Sequence, residues 1–157
     1  DGTFATARKV RRCCPGEGVV VGDFDNSRPG AKYGDDFVIT NPAKDDVSLF
    51  LNRNVSGGME FNTERRLRAG NKPLIPGAAD FNNDGYDDIC ALNVLGSGND
   101  VSIFVNNGEA NPGSFRSVAN FFAGRRARSI AIGDLNKDGE LDIVAGDQLN
   151  NSISVLP

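Results

Sequence analysis

The stretch Asp-Phe-Asn-Asn-Asp-Gly-Tyr-Asp-Asp at residues 80–88 decides the fold, because it returns at residues 134–142 as Asp-Leu-Asn-Lys-Asp-Gly-Glu-Leu-Asp. In both copies oxygen-bearing side chains occupy loop positions 1, 3, 5 and 9, and glycine occupies position 6. Calcium binds about six to eight oxygen atoms, and alternating Asp and Asn in a tight loop can direct several of them at one centre. The glycine permits the sharp turn, since it tolerates positive φ. The stretch therefore predicts a cation-binding loop that occurs twice.

This loop belongs to a longer repeat that carries three markers. A phenylalanine recurs at positions 4, 61 and 115 and an aspartate at positions 23, 80 and 134, with spacings of 57 and 54 in both cases. The third marker is Asp-Val-Ser-Leu-Phe-Leu at residues 46–51, which returns as Asp-Val-Ser-Ile-Phe-Val at 100–105 and as Ser-Ile-Ser-Val-Leu at 152–156. Markers that keep one order and nearly one spacing predict tandem units. We place them at about 1–52, 53–106 and 107–157, within a single domain.

Each unit contains four short apolar or alternating runs bounded by Gly, Asn, Asp or Pro, which is typical of β-strands. The first run precedes the acidic loop, at residues 18–22, 77–79 and 129–133, and the second follows it, at 36–40, 88–93 and 142–145. The third run carries the Val-Ser marker, whose alternation suits a half-buried strand, and the fourth begins near the repeated phenylalanine. No segment has a convincing helical period. We therefore expect an all-β chain of three four-stranded β-propeller blades.

The repeat resembles the FG-GAP or VCBS family, which forms the propeller blades of integrin α subunits and of several bacterial and fungal lectins and adhesins. The matching segments are Val-Gly-Asp-Phe-Asp at 21–25, Ala-Asp-Phe-Asn-Asn-Asp-Gly-Tyr-Asp-Asp-Ile at 79–89, the acidic loop with its flanks at 133–144, and Asn-Ser-Ile-Ser-Val-Leu at 151–156. The number of units departs from the family, because a closed propeller usually has about four to eight blades. The chain starts on a fourth run, at residues 3–7, and finishes on a third. We expect part of a larger propeller, or a half-ring that another chain completes.

The acidic loops supply the predicted calcium ligands. Their side chains are Asp80, Asn82, Asp84 and Asp88 in the second unit and Asp134, Asn136, Asp138 and Asp142 in the third. The family resemblance adds the backbone carbonyls of Tyr86 and Glu140. The alternative is that these Asp and Asn side chains only form Asx-turns. The first loop offers Asp23, Asp25 and Asp36 but spans 13 positions instead of 8 and lacks the glycine at position 6, so a third site there stays open.

The basic residues cluster at one place in the repeat. Of 17 basic residues, 11 are assigned to the segment between a fourth run and the next first run: Arg8, Lys9, Arg11, Arg12, Arg65, Arg66, Arg68, Lys72, Arg125, Arg126 and Arg128. We expect them on the face opposite the calcium loops, where a protein or an acidic glycan could bind; the alternative is ordinary solvated charge. The net charge of −4 and the lack of interleaved aromatic residues argue against nucleic acid.

The composition disfavours an enzyme. Histidine is absent, which removes the commonest general base, and the other side chains form no recognisable catalytic group. We predict a non-catalytic calcium-binding module for protein or glycan interaction, or for scaffolding. The alternatives are a lectin that holds sugar between blades and an accessory domain of a polysaccharide-degrading or lipid-degrading enzyme.

The cellular address follows from metal supply. Weak calcium sites of the extracellular kind would be empty in the cytosol, so we expect an extracellular, periplasmic or organelle-lumen location. No apolar run approaches the roughly 18 residues of a membrane helix.

A disulfide among Cys13, Cys14 and Cys90 stays open. The alternative for Cys90 is a small buried apolar residue.

Overall fold

The computed structural model describes residues 10, 15–26, 35–53, 60–62, 64–94 and 100–157, without the side chains of residues 117 and 118. These residues form three antiparallel sheets. The first sheet has the order β1 (Val19–Gly22), β2 (Asp36–Asn41), β3 (Asp46–Phe50) and β4 (Arg65–Arg68). The second has the order β5 (Pro73–Ala79), β6 (Asp88–Asn93), β7 (Asp100–Asn106) and β8 (Phe115–Phe122), with a short 3₁₀ helix, Gly108–Ala110, before β8. The third has the order β11 (Ser152–Leu156), β10 (Asp142–Asp147) and β9 (Ala127–Gly133).

The sheets confirm the all-β prediction and its strand positions. Each acidic loop joins the first and second strands of a sheet, and the Val-Ser marker lies on β3, β7 and β11. The fourth strand of the second sheet begins at the repeated Phe115. The fourth run at residues 3–7 lies outside the described residues. Within the described ranges, no helix is long and apolar enough to cross a membrane.

The sheets pack face to face in chain order, each through its first strand. β5 contacts β1 and β2 of the first sheet, and β9 contacts β5 and β6 of the second. The first junction buries Phe24, Val38, Val47, Leu49, Leu51, Ile89, Ala91 and Phe104. The second junction buries Cys90, Leu92, Val101, Ala123, Ala127, Ile143 and Ala145. In the described part of the chain the sheets do not close into a ring. This agrees with the expectation that three units are too few for a closed propeller.

Cys90 lies in the second junction as a fully buried free thiol. Burial raises the pKa of this thiol to about 12, because a low-dielectric surrounding disfavours the thiolate. The structure therefore agrees with a small buried apolar residue at this position. Cys13 and Cys14 lie outside the described residues.

The third strands of the first two sheets, β3 and β7, are more deeply buried than their alternation indicates. Ser102 is 2% exposed, and its hydroxyl accepts a bond of 2.8 Å from the Asn93 amide and donates one of 2.7 Å to Asn120 Oδ1. Asn41 donates to Ser48 in the same way, at 2.7 Å. A serine is tolerated inside a sheet when an amide satisfies its hydroxyl. The alternation of residues along one strand does not reveal such a partner on another strand.

Candidate metal centre

The last aspartate of each acidic loop is also the first residue of the following strand. Asp36, Asp88 and Asp142 are 1%, 0% and 3% exposed. Such buried carboxylates require partners, and the backbone supplies them. The structure therefore gives these three predicted ligands a structural role in holding the loop, whatever else they bind.

The partners of these carboxylates repeat from sheet to sheet. Asp36 accepts hydrogen bonds from the N–H groups of Phe24 at 3.0 Å and Asn52 at 2.7 Å. In the second sheet, Asp88 accepts the equivalent bonds at 3.0 and 2.7 Å, from the N–H groups of residues 81 and 106. In the third sheet, Asp142 accepts one from Leu135 N–H at 2.8 Å. One carboxylate thus ties each loop to its own start, and in the first two sheets also to the end of the third strand.

The second loop is organised by bonds from its own backbone. Asp80 accepts N–H bonds from Asp84 at 3.0 Å and Gly85 at 2.7 Å. Asp84 accepts one from Tyr86 at 2.9 Å and one from the Asn82 amide at 3.0 Å. Gly85 has a φ of +88°, which confirms why position 6 is a glycine. These bonds are those of an Asx-turn arrangement, and each carboxylate oxygen retains a further acceptor site.

The third loop repeats this arrangement. Asp134 accepts N–H bonds from Lys137 at 2.6 Å and Gly139 at 3.0 Å, and Asp138 accepts one from Glu140 at 2.9 Å. The Glu140 bond is the main cause that lowers the pKa of Asp138. The Asn136 amide donates to Asp138 at 2.8 Å. These loop residues are exposed to solvent, whereas Asp142 at the end of the loop is buried.

The first loop differs, since it brings its carboxylates together. Ligand oxygens of Asp23, Asp25 and Asp36 all lie within 4.8 Å of one another, and this is the one such group among the described residues. Asp23 is 9% exposed, and the Asp25 side chain is 4% exposed. The loop whose sequence matches the repeat least well therefore has the densest and most buried acidic cluster. Residues 27–34, which carry the insertion, lie outside the described residues.

Asp25 is the member of this cluster that forms an ion pair with Arg53. Neither of its oxygens receives a hydrogen bond from a described residue, although Arg53 Nη1 lies 2.8 Å from Oδ2 as an ion pair. The geometry at Oδ2 is that of an ion pair without a directed hydrogen bond, so the two observations agree. A buried carboxylate oxygen with no donor is costly, and the chemistry of three clustered carboxylates fits a hard cation.

The buried aspartates that end the first two acidic loops have raised pKa values. Burial, followed by repulsion from Asp25 and Asp23, raises the pKa of Asp36 to about 7, against the N–H bonds that lower it. Burial, with smaller repulsion from Asp84 and Asp80, raises the pKa of Asp88 to about 6. A cation at either loop would favour the charged carboxylates and reverse these shifts.

Sequence reasoning missed the residues that link one loop to the next. The Asp87 carboxylate accepts the Asp23 N–H at 2.8 Å, and the Asn106 amide donates to the carbonyls of Phe24 at 2.7 Å and Asp87 at 3.0 Å. Asn52 lies two residues after β3 and Asn106 is the last residue of β7, 54 positions apart. The repeated asparagine is visible in the sequence and could have been predicted to have a structural role. The role of Asp87 could not, since it depends on contact between two sheets.

The basic residues do not occupy the single place that the sequence assigns them. Arg65, Arg66 and Arg68 lie within β4, and Arg128 lies within β9. Arg66 pairs with Asp46, and Arg65 Nη1 donates at 3.0 Å to the Gly113 carbonyl. Gly113 lies in the loop between β7 and β8, near Asp25. Arg65 is therefore at the end of the sheet that carries the acidic loops, and the expected division of charge between opposite faces is wrong for this residue.

The remaining basic positions lie elsewhere. Arg125 and Arg126 are exposed in the connection from β8 to β9, where their N–H groups donate to Asp147 at 2.9 and 3.2 Å. Arg8, Arg11 and Arg12 lie outside the described residues. In the described part of the chain, the predicted anionic-partner face is thus dispersed over strands and connections.

The repeat itself decides the family. A family model for the FG-GAP-like repeat matches residues 34–91 and 92–145. The chain belongs to the FG-GAP-like repeat family. Its two matched FG-GAP segments run from β2 to the middle of β6 and from there to the middle of β10, so each contains one complete acidic loop. No curated protein and no solved structure matched this chain.

Proposed function

We propose that this FG-GAP-like chain is a non-catalytic interaction or scaffolding module that calcium stabilises. The observation that carries the proposal is the cluster of Asp23, Asp25 and Asp36 within 4.8 Å, with both Asp25 oxygens lacking a hydrogen bond from the described residues. Carboxylates from both ends of the loop would bind one ion, while Asp36 continues to hold the backbone. The ion would supply charge neutralisation only.

The second and third loops are proposed as weaker sites of the same kind. Asp84 and Asp138 are exposed, and their oxygens already accept backbone bonds that fix the turn. Binding there would add calcium to a preformed turn, whereas binding in the first loop would relieve repulsion among buried carboxylates. The first loop should therefore contribute most of the stabilisation. Sites of this class match calcium levels outside the cytosol, and we propose an extracellular, periplasmic or organelle-lumen setting.

The test is calcium-dependent unfolding of the purified protein. A ligand at a hundred times its Kd stabilises the folded state by about 2.7 kcal/mol, or a rise in Tm of about 5–10 °C for a chain of this size. The Asp25→Asn variant should lose most of this rise. Without calcium its stability should stay close to that of the wild type, because relief of the repulsion among three clustered carboxylates offsets the loss of the ion pair with Arg53.

Glu109→Gln is the matched control, since it removes one exposed carboxylate from the 3₁₀ helix that precedes β8. This variant should keep the full calcium response. A wild-type Tm that does not respond to calcium after metal stripping would overturn the calcium proposal. An equal response in wild type and Asp25→Asn would move the main site out of the first loop.

A further inference from the structure

The last carboxylates of the first two acidic loops are joined by a continuous chain of hydrogen bonds. Asp36 accepts the Phe24 N–H at 3.0 Å, and the Phe24 carbonyl accepts from the Asn106 amide at 2.7 Å. The Asn106 N–H in turn donates to Asp88 at 2.7 Å. All four residues are at most 2% exposed, and a low-dielectric surrounding strengthens such bonds. Two residues therefore connect a predicted ligand of one loop to a predicted ligand of the next.

Asp87 adds a second connection between the same two loops. Its carboxylate accepts the Asp23 N–H at 2.8 Å, and its carbonyl accepts from the Asn106 amide at 3.0 Å. Asp87 directly precedes the predicted ligand Asp88, and Asp23 is itself a predicted ligand of the first loop. Asn106 and Asp87 together therefore hold the backbones of both loops in one arrangement.

The segment between β7 and β8 approaches both loops. A Cβ placed on Gly108 would lie 3.2 Å from Asp84 Oδ2 of the second loop. One placed on Gly113 would lie 3.6 Å from the Asp25 Cβ of the first loop. The Gly108 N–H donates to Asn106 Oδ1 at 3.2 Å, which fixes the start of this segment to the same asparagine. One short segment thus lies close to a predicted ligand in each loop.

The described contact between the second and third loops is weaker. The exposed Asn83 amide donates at 3.4 Å to the Gly139 carbonyl and to the Glu140 carboxylate. Both distances are longer than the usual range of about 2.7–3.2 Å for an N–H···O bond. Asn83 is also not one of the predicted ligands. The second loop is therefore tied more firmly to the first loop than to the third.

We propose that calcium binding in the first acidic loop and in the second is positively coupled through Asn106, an inference that rests on the proposed function of both loops as calcium sites. Binding at Asp84 and Asp88 fixes the carboxylate that positions Asn106. Asn106 in turn holds the Phe24 backbone, which lies between two predicted ligands of the first loop. The first site is then ordered before its own ion arrives, so it loses less conformational entropy on binding. The coupling is reciprocal, because each ion changes the affinity for the other by the same factor.

A residue-resolved NMR titration of the purified protein with calcium tests this coupling. The N–H groups of Phe24, Gly85 and Gly139 donate to predicted ligands of the first, second and third loops, so their signals report each site separately. A salt concentration of about 0.15 M screens direct repulsion between bound ions beyond about 8 Å. Asp84→Asn, in the second loop, should raise the calcium Kd reported by Phe24 by about fivefold or more, the lower end of typical coupling.

Asp138→Asn is the matched control, because it makes the same substitution at the same position of the third loop. This variant should leave the Kd reported by Phe24 within about twofold. Asp25→Asn, in the first loop, tests reciprocity. It should raise the Kd reported by Gly85 by the same factor that Asp84→Asn produces at the first site.

Asn106→Ala tests the route itself. In this background, Asp84→Asn should no longer change the Kd reported by Phe24. The dispersion of the amide signals shows whether the variant is folded. Because Asp84 and Asp138 are exposed, their variants decide the proposal if Asn106→Ala does not fold.

The outcomes separate the two proposals. An effect of Asp84→Asn that is absent, or no larger than that of Asp138→Asn, would overturn the coupling and leave calcium binding intact. Coupling that persists in folded Asn106→Ala would overturn the route through Asn106. If the signals of all three loops stay unchanged as calcium is added, the calcium proposal and the coupling both fail.

Discussion

The backbone N–H of Asp23 donates a 2.8 Å hydrogen bond to the carboxylate of Asp87, which connects the acidic loop of the first sheet to that of the second. The Asp87 N–H donates to the Asp23 carbonyl at 3.4 Å, so the contact runs in both directions. The second sheet therefore helps to fix the backbone of Asp23 in the first loop. The geometry of the first site depends on the junction as much as on its own loop.

Replacing Asp87 should weaken both stability and calcium binding in the first loop. Hydrogen bonds to charged groups contribute about 1.5–3 kcal/mol, and we expect Asp87→Ala to lose that amount in urea unfolding without calcium. Loss of the anchor at Asp23 should also raise the calcium Kd of the tightest site in a calorimetric titration. Asp35→Ala, at an exposed residue just before β2, should leave that Kd within about twofold, which corresponds to 0.4 kcal/mol. An unchanged calcium Kd in Asp87→Ala would show that the contact between the sheets does not affect calcium binding in the first loop.

Asn106 should be a stability determinant of the first junction. It is 2% exposed, and its amide satisfies the carbonyls of Phe24 and Asp87. Asn106→Ala leaves both carbonyls without this donor, at a cost of about 1–3 kcal/mol for each buried unsatisfied group. The neighbouring Asn107→Ala removes an exposed amide that bonds Ser114 at 2.7 Å and should cost less than about 1 kcal/mol. Equal losses in urea unfolding would contradict this assignment.

Stability without calcium should fall as the pH rises from about 4 to 7. Burial raises the pKa of Asp36 to about 7 and that of Asp88 to about 6 in the folded protein. A raised folded pKa contributes stability that is present below the unfolded value near 3.8 and is lost as the pH passes the folded value. Bound calcium favours the carboxylates, so the Tm rise on adding calcium should be larger at pH 8 than at pH 5. The Asp36→Asn variant should flatten the calcium-free pH profile, and a profile that rises through this window would refute the assignment.

Ser102 should matter more than an alternating strand implies. Its hydroxyl accepts from the Asn93 amide and from the Gly70 N–H at 2.9 Å, and it donates to Asn120. Ser102→Ala should cost about 1–3 kcal/mol, because these groups lose a buried partner. Ser129→Ala, at an exposed serine of β9, should change the free energy of unfolding by less than about 0.5 kcal/mol. A similar effect of both variants in urea unfolding would show that the buried serine is dispensable.

The tandem repeat made most of the fold predictable. A two-residue period and recurrent turn residues are local properties, so the strand order of each sheet and the position of each acidic loop follow from the sequence. The same holds for Gly85, because only a positive φ accounts for a glycine at that point of the loop. The family was indicated by the resemblance of the acidic loop and its flanking strands to the FG-GAP repeat, and the match over residues 34–91 and 92–145 confirms it.

The tertiary structure decided which loop gathers charge and which residues support it. The first loop matches the repeat least well, yet burial against the second sheet places Asp25 beside Asp23 and Asp36. Arg65 extends to Gly113 of the next sheet, and Asp87 bonds Asp23 across 64 residues. These contacts join residues from different sheets, and no local pattern encodes their distance. Sequence alone determined the sheets, and packing between sheets determined the site, because desolvation and proximity of charges exist only after the sheets meet.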